Sequence, residues 1–285
     1  MLNDYILEVC VDSVESALSA KAGGATRLEL CANLIIGGTT PGYTLFQQVQ
    51  QETGLPIRVL IRPRFGDFLY TEYEYRQMCA DIRFFANADA DGVVIGSLQA
   101  DGSLNEAQMR GMIDATDGKC GITLHRAFDV CAEPIACYEK AAELGVDTIL
   151  SSGQEADART GRELLRTLVQ MAEENRYASG EAQYSETSSA FEDTAANHSP
   201  ESDRRLTGGP TILVGAGVKA DNIAEIAAAT GAHAFHMSGK KILSSGMHYR
   251  NKRVHMGLDG ISEFELYRTD EEEIRRAVEI LRNLI

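Results

Sequence analysis

The chain has 285 residues, 44% of them apolar, with 42 acidic against 27 basic side chains for a formal charge of −15. That length suits one large domain, and the charge argues against nucleic-acid or anionic-membrane partners. No run approaches the roughly 20 apolar residues that span a bilayer, and residues 1–4 lack the basic and apolar regions of a signal peptide, so the expected location is the cytoplasm.

In chain order, strand-like segments fall at 6–11, 27–31, 57–62, 92–96, 121–126, 148–152, 211–215 and 234–237. Helix-like segments fall between and after them, at 13–23, 43–53, 72–87, 105–115, 134–144, 159–173, 220–229 and 270–284. Asp12 or Ser13 and the pair Thr71/Glu74 read as helix N-caps, and Gly24, Gly54 and Gly231 as C-terminal stops. Repeated βα alternation calls for a parallel sheet. Its regularity through the chain predicts a single-domain (β/α)8 TIM barrel spanning 1–285.

Two stretches stand outside this rhythm. Residues 174–209 are rich in Ser, Glu, Ala, Thr and Asn, too poor in large aliphatics to offset ordering entropy. They read as a flexible polar insertion between helix 6 and strand 7. Without it 285 − 36 = 249 residues remain, close to the roughly 250 of this fold. Residues 240–269 form a long connection after strand 8, in which Lys240, Lys241, Arg250, Lys252, Arg253 and Arg268 outnumber Asp259, Glu263 and Glu265. Such a loop suits either a neighbouring subunit or an anion.

The phrase Leu7-Glu8-Val9-Cys10 returns as Leu28-Glu29-Leu30-Cys31. Strand side chains alternate faces, so the leucines pack on helices while Glu8, Cys10, Glu29 and Cys31 turn into the barrel. Chemistry in these barrels sits at the C-terminal strand ends. The same alternation turns Arg62, His125, His236 and Ser238 inward. Buried carboxylates need cations, a metal or solvent, so Glu8 and Glu29 could be neutralised by Arg62 and neighbouring arginines as a buried structural network.

Alternatively they serve as acid and base, should their surroundings push their pKa values apart. His125 with Asp129 offers a second acid/base pair, and Arg62 and Arg64 suit an anionic substrate. Gly215 and Gly217, with His236 and Ser238, sit where barrels often seat phosphate. Together these residues would serve acid/base chemistry on a small phosphorylated or carboxylated molecule. A divalent metal on Glu8, Glu29, Asp129 and His125 is a further expectation. The six cysteines contain no C-x-x-C pair, so no zinc ribbon or thioredoxin motif is present.

Several phrases together resemble the copper homeostasis CutC family. They are Glu8-Val9-Cys10-Val11-Asp12-Ser13, Arg27-Leu28-Glu29-Leu30-Cys31, Gly37-Gly38-Thr39-Thr40-Pro41, Ile61-Arg62-Pro63-Arg64 with Gly66-Asp67-Phe68, His125-Arg126-Ala127-Phe128-Asp129 and Ser152-Gly153. Gly42 and Phe65 depart from the family pattern. The resemblance implies a cytoplasmic (β/α)8 protein paired as a homodimer, with a role in copper handling. It implies Cys10 and Cys31 as copper(I) ligands, a soft cation's preference for thiolates agreeing. Enzymatic activity is left open.

Overall fold

Along most of the predicted strands every second residue is a large apolar one. In the computed structural model, which describes residues 5–178, 209–251, 253–254, 256 and 260–284, those residues face the helices. Leu7, Val9, Leu28, Val59, Ile61, Ile95, Leu124 and Val214 join helical residues such as Phe46, Met78, Leu165 and Ile274 in one buried cluster. Burying that apolar surface is the main stabilising contribution.

The strands are β1 (Ile6–Val11), β2 (Arg27–Leu30), β3 (Ile57–Leu60), β4 (Gly92–Ile95), β5 (Gly121–Leu124), β6 (Thr148–Ser151), β7 (Thr211–Val214) and β8 (Ala234–Met237). They close into a parallel barrel in chain order, β8 pairing with β1. Around it lie α1 (Val14–Gly23), α2 (Tyr43–Thr53), α3 (Glu72–Asn87), α4 (Glu106–Asp114), α5 (Pro134–Glu143), α6 (Arg162–Ala178), α7 (Ile223–Thr230) and α8 (Glu271–Leu284). The Ser13 hydroxyl accepts the Ser16 N–H at the start of α1, and Thr71 with Glu74 forms a capping box on α3.

Register places the interior. Glu8 lies opposite Arg27 on one side and His236 on the other, and Cys10 lies opposite Glu29. A one-residue slip would turn all of them outward. Apolar plugs share the interior, one of Ile6, Leu150, Leu213 and Ala234, the other of Cys31, Leu60 and Val94.

Three departures from expectation have physical causes. Strands β3 and β5 end at Leu60 and Leu124, which leaves Arg62 and His125 just beyond the ladder, on the rim. Helix α6 continues to Ala178, so residues 174–178 are helical rather than part of an insertion; residues 179–208 lie outside the described residues. The connection after β8 is not a plain loop. Lys240–Ser244 (β9) pairs antiparallel with Glu265–Thr269 (β10), and the Thr269 N–H donates to the Ser16 hydroxyl on α1. Lys252 and Asp259 lie outside the described residues. Among the described residues no helix is long and apolar enough to cross a membrane.

Candidate metal centre at the barrel mouth

Closure of β8 against β1 and β2 builds the centre. Glu8 is fully buried, and both its oxygens are engaged: Arg27 Nε donates to Oε2 at 2.6 Å, and His236 Nδ1 meets Oε1 at 2.9 Å. Burial alone would raise the Glu8 pKa. Arg27 and His236 overcome it and hold the carboxyl at about 2. With Nδ1 held by Glu8, His236 turns Nε2 toward Glu29, whose Oε2 lies 3.8 Å away. Burial opposes protonation of this imidazole too, yet Cys10, Glu8 and Glu29 raise its pKa well above the ordinary value. Glu29 is pushed up, by burial first, with His236 opposing and the like charge of Glu8 adding.

Cys10, Glu29 and His236 each offer a ligand atom, and these atoms lie within 4.8 Å of one another. Metal–ligand bonds of roughly 2.0–2.3 Å set ligand atoms at most about 4.6 Å apart, so small side-chain rotations suffice to close on an ion. Cys31 stands one step away. Its thiol donates to Glu29 Oε2 at 3.5 Å, and burial together with the Glu29 charge raises its pKa well above the ordinary thiol value. The two cysteines expected to bridge an ion thus meet through Glu29, and His236 stands beside Cys10 instead.

The other expected residues are placed as follows. His125 and Asp129 do not form the expected pair. A 3-10 turn, Phe128–Val130, carries Asp129 to the end of β6, where Arg126, the Ser151 and Ser152 hydroxyls and the Ser152 N–H occupy its carboxylate. His125 instead accepts the Ala127 N–H at Nδ1 and packs over Gly96. A Cβ at Gly96 would lie 2.5 Å from the imidazole Cε1, so only glycine fits there. Arg62 does not neutralise Glu8 or Glu29; its guanidinium donates to the carbonyls of Gly37, Gly38 and Gly66. Arg64 pairs with Asp67 and Glu74. Glu8 and Glu29 do have separated pKa values, but Glu8 has no free oxygen with which to act as a base.

On β7 and β8, Gly215 packs its backbone against Leu150 and its N–H donates to the Ser151 carbonyl. Gly217 adopts φ +71° and its carbonyl accepts from Asn222. The Ser238 carbonyl accepts from Thr269. These contacts give the turn a structural explanation. Arg27 was missed by sequence reasoning, although it shares the inward face of β2 with Glu29 and Cys31. The alternation that singled out Glu29 points to it equally.

His125 also carries a pH prediction. Burial, with Arg62 adding, lowers its pKa from 6.5 to about 3. The unfolded chain therefore binds a proton that the folded one refuses. The stability owed to the neutral ring is complete above pH 6.5 and is lost as pH falls from there toward 3. In a His125→Gln variant, denaturant-derived stability should fall less steeply over that window. Parallel curves for the two proteins would assign the acid loss to other groups.

Residues 5–180 match the family model described as the CutC family. A family protein CutC of Parabacteroides distasonis is 40% identical over 95% of this chain and 98% of its own. The copper homeostasis protein cutC homolog of Homo sapiens is 35% identical over 99% of this chain and 91% of its own. Among solved structures, one described as a CutC copper homeostasis protein of Streptococcus agalactiae superposes with a TM-score of 0.64 at 26% identity, covering 82% of this chain and 98% of that one.

Proposed function

The chain belongs to the CutC family, and from that premise we propose that it handles copper by holding one Cu(I) at the barrel mouth, through Cys10 and Cys31 with His236. The observation that carries this reading is the gathering of buried Cys10 and Glu29 with partly buried His236 within 4.8 Å. Thiolate and imidazole suit Cu(I), whereas carboxylate is the harder donor. Glu29 is then the neighbour that orients Cys31 and balances the cation's charge, and Glu8 fixes the imidazole through Nδ1, so that the cation displaces the proton His236 holds at Nε2. The Cys31 thiol keeps its proton beside Glu29 until a cation displaces it, since a coordinating thiol is deprotonated outright.

The same reading places the protein in the cytoplasm as a homodimer without nucleic-acid partners. Its six free cysteines suit a reducing compartment, and its charge suits a small cation more than a polyanion. Anaerobic titration with Cu(I) against a competing chelator should give one tightly held ion per chain. Failure of the chain to compete at all would remove the copper reading.

A further inference from the structure

Beyond the ends of β3 and β5, three buried polar side chains each keep an atom without a well-aligned hydrogen bond. Arg62 is 8% exposed, His125 4% and Tyr70 6%, and the atoms are Arg62 Nε, His125 Nε2 and Tyr70 Oη. His125 Nδ1 accepts from Ala127, so Nε2 carries the proton and all three atoms can donate. Among the described residues no carboxylate pairs with Arg62. A buried cation answered only by carbonyls and by the Tyr70 hydroxyl beside it, next to an unused imidazole donor, is a costly arrangement unless something else completes it.

What fills the space now is the ring of Phe68. Its centroid lies 5.0 Å from Arg62 Cζ and 4.7 Å from the His125 ring, so the ring touches both groups at once. The negative face of an aromatic ring is a weak substitute for an anion over a guanidinium. Phe68 sits on the β3–α3 connection, two residues after Gly66 at φ +100°, and is itself partly exposed. Its carbonyl is held by the Leu98 N–H at 2.9 Å. The backbone is thus tied while the side chain has solvent to turn into. Arg64, on the same connection, pairs with Asp67 and Glu74, which leaves Arg62 as the cation of this space.

We propose that the Phe68 ring stands in a subsite for a small phosphate-type oxyanion, and that the ring swings outward when the anion enters between Arg62 and His125. Arg62 offers Nε and the remaining Nη2 hydrogen as a two-donor edge, the arrangement that recognises phosphate and carboxylate oxygens. His125 Nε2 supplies a further donor for a tetrahedral ion. A free phosphate ion and a phosphate monoester present the same oxygens to these groups. The subsite uses none of the proposed copper ligands and adjoins them only through Gly38, whose carbonyl Arg62 holds and which packs against Cys31.

The test is calorimetric titration of the full reduced chain with inorganic phosphate and with methyl phosphate, chloride holding the ionic strength constant. The native protein should bind inorganic phosphate. Phe68→Ala, which uncovers the donors without removing one, should bind about tenfold tighter, a change of roughly 1.4 kcal/mol. Arg62→Gln and His125→Phe, each in the Phe68→Ala background, should lose that gain. Equal binding of methyl phosphate would identify an ester's phosphate as acceptable, and its exclusion would identify the free ion. Binding by Phe68→Ala without any by the native chain would mean that truncation created the hole, and the proposal would fail. It would fail equally if phosphate bound the Phe68→Ala/His125→Phe chain as tightly as Phe68→Ala alone. His125→Phe keeps the test decisive even where loss of the Arg62 carbonyl contacts unfolds the chain.

Discussion

Cys10→Ser and His236→Ala are each expected to weaken Cu(I) binding by more than the roughly 10–100-fold that loss of an outer-shell partner costs a metal site. Both residues lie in the group whose ligand atoms sit within 4.8 Å, and each substitution removes a donor suited to a soft ion. Cys31→Ser should cost less, because its sulfur reaches the group through Glu29. Competition against a chelator under anaerobic conditions reads the order directly. Should Cys31→Ser match Cys10→Ser while His236→Ala binds normally, the ion sits between the two sulfurs and the imidazole only supports it. Should all three variants bind as the native chain does, copper is not held at this mouth.

That ordering turns on contacts the sequence could display only in part. Period-2 patterning was enough to turn Glu8, Cys10, Glu29 and Cys31 to one side, because each phrase carries its aliphatics at alternate positions. It was silent on partners. Glu8 and His236 are 228 residues apart and meet only because β8 closes the barrel against β1, in a register fixed by the whole ring of strands. Arg27 was legible by the same alternation but stands at the first residue of its strand, where patterns are weakest. The pairing expected between His125 and Asp129 assumed that closeness in sequence means closeness in space. A short 3-10 turn carries Asp129 to Ser151 and Ser152 instead. The ribbon formed by β9 and β10 was hidden because its composition is that of a charged loop. All five residues of β9 are exposed, so no buried face imposes a pattern on them.

Glu8→Ala should destabilise the fold by about 3–5 kcal/mol, the usual cost of removing one partner from a buried ion pair. The carboxylate is fully buried, and Arg27, whose Nη2 already lacks a partner, would lose its Nε contact and stand as an uncompensated cation. His236 Nδ1 would lose its acceptor as well. Urea unfolding should show the loss as a lower midpoint at unchanged slope. The double substitution Glu8→Leu/Arg27→Met removes both charges and fills the space with apolar groups, a replacement that is often neutral or stabilising. It should therefore recover most of the stability, yet not the metal site. With no carboxylate to hold its Nδ1, His236 would bind Cu(I) roughly 10–100-fold more weakly in either variant. Stability and affinity thus separate. A double variant as unstable as Glu8→Ala would show that the Arg27–Glu8–His236 chain holds the barrel together by more than charge compensation. Native copper affinity in both variants would remove His236 from the ligand set.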